Sequence, residues 1–245
     1  MLQDVITALQ FLTRLPIRSR IPYTELQFGR SVKFFPLAGG VIGGMLAAAA
    51  YGLGLAGGVG IHMQAALLIV LEVMLTGGLH CDGYMDTWDG FMSASSREGT
   101  LAIMKDSRVG AYGVMALGLL LLWKYSLLLA ILPELLPAAL WAAPVIARLA
   151  VVAAIVSYPY ARSQGLGKPF SQYAGRYTLP TAGVFTAVLL FAAGWQGLVA
   201  AVAGLAGAGV FANYAANRLG GLTGDVYGAI IEMTEATALT VFLFH

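Results

Sequence analysis

Residues 80 to 90 read His80-Cys81-Asp82-Gly83-Tyr84-Met85-Asp86-Thr87-Trp88-Asp89-Gly90. The aspartates recur at i, i+4 and i+7. On a helix, Asp86 then lies about 40° from Asp82 and Asp89 about 20° to the other side, so the three carboxylates share one face. Three like charges on one stripe repel, and Gly83 and Gly90 each cost the helix ~1 kcal/mol relative to alanine. Both penalties make sense if a divalent cation neutralises the carboxylates and the glycines admit a phosphate or a second helix. Oxygen-only donors suit a hard cation, and Mg2+ is commonly held by a few carboxylates together with substrate phosphates. Zinc fits less well, because His80 and Cys81 are adjacent and His80 lies about 160° round the helix from Asp82. The plain alternative is a solvated acidic helix end. Against it, six of the chain's twelve acids (Glu72, Asp82, Asp86, Asp89, Glu98 and Asp106) fall between residues 72 and 106. Cys81 reads as a small packing residue.

Three further clusters carry chemistry of the same kind. In Met104-Lys105-Asp106-Ser107-Arg108-Val109-Gly110, Lys105 and Arg108 could hold a diphosphate at a helix amino terminus capped by Asp106 or Ser107. Equally, the cap is only a cap and the cations anchor a loop. Tyr160-Ala161-Arg162-Ser163-Gln164-Gly165-Leu166-Gly167-Lys168 offers a guanidinium that can grip phosphate with paired hydrogen bonds, beside exposed glycine amides, or is a plain basic loop. In Gly220-Gly221-Leu222-Thr223-Gly224-Asp225, Thr223 and Asp225 are either a turn and its helix cap or groups that position substrate. Glu72, Lys124 and Arg148 fall within apolar runs, where an ionisable side chain is costly and calls for a partner that spacing alone does not identify.

The elements that must position these groups are set by composition. Of 245 residues, 59% are apolar and only 11% charged, against roughly 25% charged in an ordinary soluble domain. Mean hydropathy is +0.79. Such a chain cannot cover a water-exposed surface with charge, which excludes a soluble globule. One cysteine excludes an internal disulfide, the 31 glycines show no collagen period, and a net charge of +2 argues against nucleic acid as a partner. The expected class is an all-α integral membrane protein, one polytopic domain spanning residues 1–245, with the lipid bilayer as its partner. Homo-oligomerisation is left open.

Crossing ~30 Å of hydrocarbon takes about 17 to 25 helical residues. Seven apolar runs qualify: residues 34 to 58, 61 to 79, 111 to 132, 138 to 157, 179 to 195, 197 to 217 and 226 to 244. Ahead of them Leu2, Val5, Ile6, Leu9 and Leu12 recur at helical spacing, with Pro16 ending the pattern. This is an amphipathic helix, lying on the membrane interface or packed on the bundle. It is not a secretory signal, because Asp4 comes early and Arg14, Arg18 and Arg20 follow the apolar stretch.

Basic residues alternate by loop. Arg14 to Lys33 precede the first run, Arg97, Lys105 and Arg108 follow the second, Arg162, Lys168 and Arg176 follow the fourth, and Arg218 follows the sixth, whereas the intervening turns contain no Lys or Arg. The positive-inside rule then places the amino terminus and the loops at about 80–110, 158–178 and 218–225 in the cytoplasm, with the carboxyl terminus outside. The chemistry this suggests is Mg2+-dependent phosphoryl transfer at the cytoplasmic face. A transporter would instead concentrate its charges near the bilayer midplane. The D-x-x-D-G of Asp86 to Gly90 resembles the start of the CDP-alcohol phosphotransferase pattern, but the continuation of that pattern is absent.

Four ordered blocks give a closer match. They are H-x-D-G-x-x-D-x-x-D-G at His80 to Gly90, I-M-x-D-S-x-x-G-x-x-G at Ile103 to Gly113, A-R-x-x-G-L-G at Ala161 to Gly167, and G-G-x-T-G-D-x-x-G-A at Gly220 to Ala229. Together with Phe35-Pro36 and Gly39, the string resembles the cobalamin synthase, or adenosylcobinamide-GDP ribazoletransferase, family over nearly the whole chain. The resemblance implies a prokaryotic plasma-membrane enzyme that joins adenosylcobinamide-GDP to α-ribazole, or to its 5′-phosphate, with release of GMP and a requirement for Mg2+. On that reading Asp82, Asp86 and Asp89 hold the metal on the diphosphate. Lys105, Ser107, Arg108, Arg162, Thr223 and Asp225 contact substrate, and Asp106 is a further ligand or a base toward the ribazole 5′-hydroxyl.

Overall fold

The computed structural model of the chain describes residues 1–17 and 24–244; Arg18 and Arg20 lie outside the described residues. The described residues contain no β-strand. They form α1 (Leu2–Leu12), α2 (Glu25–Ser31), α3 (Phe35–Ala56), α4 (Ile61–Thr76), α5 (Leu79–Ser93), α6 (Arg97–Ile103), α7 (Ala111–Ala130), α8 (Leu136–Ser157), α9 (Lys168–Tyr173), α10 (Thr178–Leu190), α11 (Gly194–Leu219) and α12 (Gly224–Val241).

Four helical stretches among the described residues are long and apolar enough to cross a membrane: Glu25–Ala56, Ala111–Ala130, Leu136–Ser157 and Thr178–Leu219. A fifth is added if α4 and α5, bent by 91° at their junction, count as one broken span. The bend has a local cause. Gly77 and Gly78 adopt φ of +64° and +71°, a region costly to any residue with a Cβ, and the Gly78 N–H closes the end of α4 on the Val73 carbonyl at 3.0 Å. The apolar run expected to continue to residue 79 therefore stops at Thr76, and the aspartate-bearing segment leaves α4 at nearly a right angle.

Thr178–Leu219 is helical throughout but reverses direction at Gly194, φ +62°. Leu179 and Gly183 in α10 line the same crevice against α8 as Ala208 and Ala212 in α11. A straight helix would hold residues 183 and 212 more than ~40 Å apart. α12 is buried along most of its length but carries Asp225, Glu232 and Glu235.

α8 is the centre of the bundle and packs on α3, α10, α11 and α12. α1 buries Asp4, Thr7, Ala8 and Leu12 against α2 and α3, and Phe11 meets the rings of Phe35 and Phe170. One face of the amino-terminal helix is thus part of the protein's own packing, while Met1 and Leu2 remain exposed.

Candidate active site

The site forms where α5 crosses α12. A Cβ on Gly83 would lie 2.8 Å from the Asp225 carbonyl oxygen, and one on Gly228 would lie 3.0 Å from the His80 carbonyl oxygen, so only glycine permits this approach. The crossing brings the Asp225 carboxylate beside the α5 stripe. Thr223 caps α12, its Oγ1 accepting from the Val226 N–H at 3.3 Å and donating to Asp225 Oδ2 at 3.3 Å.

Arg162 arrives from a different loop. The Ala161 N–H donates to the Leu222 carbonyl and the Leu222 N–H to the Pro159 carbonyl, both at 2.8 Å, a bridge that draws the 158–167 loop onto the turn before α12. Arg162 then forms a 2.8 Å ion pair with Asp225. Two basic residues that read in the sequence as topology markers brace the same region. Arg97 Nε donates to the Leu219 carbonyl at 2.6 Å, and Arg218 donates to the Phe91 carbonyl at 2.7 Å and to that of Ala94.

Asp82 and Asp225 thus share one mouth with the Arg162 guanidinium, and Asp86 lies close enough to feel all three charges. Burial, followed by the Asp225 and Asp82 carboxylates, pushes the Asp86 carboxyl up to about 7, against the opposing pull of Arg162. The cluster holds more negative charge than the protein balances. An oxygen-only donor set with unbalanced charge fits a hard divalent cation. No group of three His, Cys, Asp or Glu among the described residues is assembled as a ready-made metal site.

Asp89, third on the stripe, is engaged elsewhere. Its two oxygens accept the Gly110 N–H at 2.6 Å and the Gly113 N–H at 2.8 Å, capping α7. Both glycines are required, since a Cβ on either would overlap the carboxylate. Asp106 and Arg108 pair with each other in the α6–α7 loop, Arg108 Nη2 to Asp106 Oδ2 at 2.6 Å, and Arg108 holds the Asp106 carboxyl down to about 2. So acidic a group is a poor proton acceptor near neutral pH. Lys105 and Ser107 are exposed on the same loop, and none of these four residues lines the cavity described next.

The mouth opens into a cavity of about 310 Å3. Asp82, Arg162, Asp225 and the Gly165-Leu166-Gly167 turn form its outer end. Its inner end is formed by the almost fully buried Phe35, His80, Val151, Ile155 and Ile231. Behind His80 lies the charge network that spacing left without partners. Lys124 Nζ donates to Glu72 at 2.9 Å, Glu232 at 2.7 Å and Glu235 at 2.8 Å; Arg148 pairs with Glu235, and the Cys81 thiol donates to Glu232 at 3.4 Å. Glu232 and Glu235, three apart on α12, were the visible signal for it; His80 carried none beyond its place in the motif.

A family model described as cobalamin-5-phosphate synthase matches residues 4–243. The chain belongs to the cobalamin-5-phosphate synthase family. Similar proteins named adenosylcobinamide-GDP ribazoletransferase include one from Pseudomonas paraeruginosa, 41% identical over 97% of this chain and 96% of the relative. Others come from Roseiflexus sp., 41% identical over 95% and 86%, and Clostridium botulinum, 35% identical over 99% and 98%. No solved structure matches. The match to the cobalamin-5-phosphate synthase family takes in all four sequence blocks as well as the α1 and α12 segments that wall the cavity. The D-x-x-D-G likeness to CDP-alcohol phosphotransferases is one short piece of that longer match.

Proposed function

We propose that the chain is an adenosylcobinamide-GDP ribazoletransferase, joining adenosylcobinamide-GDP to α-ribazole or its 5′-phosphate with release of GMP. The observation that carries the reading is the convergence of Asp82, Asp225 and Arg162 at the mouth of a cavity whose interior is largely apolar, with Asp86 close enough to feel all three charges. Charged groups at the mouth suit a diphosphate, and an apolar interior suits the nucleoside's aromatic base.

In the transfer, a ribosyl oxygen of the acceptor bonds to the phosphorus that carries cobinamide, and the bond from that phosphorus to the bridging oxygen breaks. GMP leaves with the bridging oxygen, and the hydroxyl proton passes to an acceptor at the mouth. On this reading the attacking oxygen is a ribosyl hydroxyl other than the 5′ one. The family description, cobalamin-5-phosphate synthase, supports attack by another ribosyl hydroxyl, because such a product keeps a phosphate at the 5′ position. Mg2+, held by Asp82, Asp86 and Asp225, would neutralise diphosphate oxygens and the departing phosphate. Arg162 orients a phosphate oxygen by paired donation, and the buried interior keeps water from competing with the acceptor.

The same reading retains seven spans, with α10 and α11 as a hairpin about Gly194 and α12 as an inner span. It also places the mouth on the cytoplasmic face of a prokaryotic plasma membrane, with the amino terminus inside. Support comes from the reversal at Gly194 and the alternation of basic loops. The test is detergent-purified protein with Mg2+, adenosylcobinamide-GDP and α-ribazole, followed for cobalamin and GMP. Formation of neither product rejects the assignment.

A further inference from the structure

His80 is only 3% exposed, and its two ring nitrogens have different surroundings. Nδ1 faces Arg148 Nη2 at 3.4 Å. A guanidinium only donates hydrogen bonds, so Nδ1 must be the accepting nitrogen and the proton of the ring sits on Nε2. The arrangement is rigid, because Arg148 is itself held by Glu235 and by the Pro144 carbonyl at 3.5 Å. Nε2 has no hydrogen-bond partner within the fold. A buried donor left unmade costs ~1–3 kcal/mol, and native structures keep few of them without a reason.

His80 lies on the cavity wall among Phe35, Val151, Ile155 and Ile231, so the buried part of the cavity offers mostly apolar surface and two unpartnered polar groups, the His80 N–H and the Tyr227 hydroxyl. A guanine base presents several donors and acceptors and would leave most of them unpaired there. A base of the benzimidazole type, with ribose on one nitrogen, presents an apolar edge and one accepting ring nitrogen. We propose that the inner end seats the aromatic base of the acceptor nucleoside and that His80 Nε2–H donates to its free ring nitrogen. This rests on the transferase reading of the cavity and adds to it the residue that selects the base.

The test compares α-ribazole with its indole analogue, in which a C–H replaces the accepting nitrogen, using solubilised protein, Mg2+ and adenosylcobinamide-GDP. Wild type should show a KM for the analogue raised roughly ten-fold or more, with kcat changed little. His80→Leu should bring the two KM values together, and His80→Gln, which keeps an N–H, should restore part of the difference. Equal KM values in wild type, or a preference undiminished in His80→Leu, overturn the proposal.

A second measurement needs neither turnover nor a variant. Wild-type protein with 15N-histidine, of which the chain has three, is bound to nucleoside labelled at the ring nitrogen. A nitrogen–nitrogen coupling across the hydrogen bond is expected, and its absence overturns the proposal. Coupling without any cobalamin product would reject the transferase reading while the base site stands.

Discussion

Arg162 and Asp225 meet at 2.8 Å because the loops that carry them are stitched together one residue before Arg162 and three before Asp225, the Ala161 N–H donating to the Leu222 carbonyl and the Leu222 N–H to the Pro159 carbonyl. The pair sits at the cavity mouth between Asp82 of α5 and the glycine turn at 165–167, so the guanidinium is pre-positioned before any phosphate arrives. Preorganised charge of this kind costs no rearrangement during reaction.

Arg162→Ala should lower kcat/KM by about 10²–10³-fold with normal membrane accumulation, the range for loss of one preorganised donor. Arg162→Lys should recover only part, because an ammonium cannot make the paired contact. Steady-state GMP release measures both, and wild-type kcat/KM for Arg162→Ala would exclude Arg162 from phosphate binding.

Asp82 and Asp89 share a face of α5 but should behave oppositely. Asp89→Asn puts an amide nitrogen against one of the two N–H groups it now accepts and should destabilise the protein by ~1–2 kcal/mol, with Mg2+ affinity kept in the folded fraction. Asp82→Asn should leave thermal stability near wild type while weakening Mg2+ and abolishing turnover. Isothermal titration with Mg2+ alongside thermal melts separates the two outcomes.

The Asp86 carboxyl, raised to about 7 from an ordinary 3.8, carries a sign that can be worked out. Its charged form is disfavoured in the fold, so metal-free stability should decline as pH rises from about 4 through about 7. Asp86→Asn should remove that decline and stabilise the metal-free protein near neutral pH, on the order of 1 kcal/mol after solvent screening, while abolishing turnover. Mg2+ affinity of wild type should fall as pH drops below about 7, where a proton competes for Asp86. Melts and Mg2+ titrations across pH 5 to 8 check both trends; a flat wild-type profile rejects the cluster.

Lys124→Met would leave Glu72, Glu232 and Glu235 gathered without their shared cation. Breaking a buried network from one side costs roughly 3–5 kcal/mol, so the variant should fail to accumulate in membranes. Lys124→Met combined with Glu232→Gln should recover some protein. Equal accumulation of Lys124→Met and wild type would show the network is not structural.

A cysteine placed at the exposed Gly175, in a chain whose only native thiol, Cys81, is buried, reports the side of the 158–178 loop. Labelling by a membrane-impermeant reagent in inside-out vesicles and not in intact cells is expected. The reverse pattern would overturn the cytoplasmic placement.

Periodicity and composition are local properties, and what they set was readable in advance. The apolar runs become helices because only helices satisfy their backbone groups in hydrocarbon, and Asp82, Asp86 and Asp89 share a face because 100° per residue puts them there. The four sequence blocks were enough to indicate the family. Tertiary structure decided what each face meets. Asp89 leaves the acidic cluster because Gly110 and Gly113 bring two amides within its reach, Asp225 replaces it because Gly83 and Gly228 let α12 press against α5, and Lys124 finds three carboxylates contributed by α4 and α12. Each of these depends on groups distant in sequence that only packing brings within a few ångströms, and residue spacing along one helix carries no record of them.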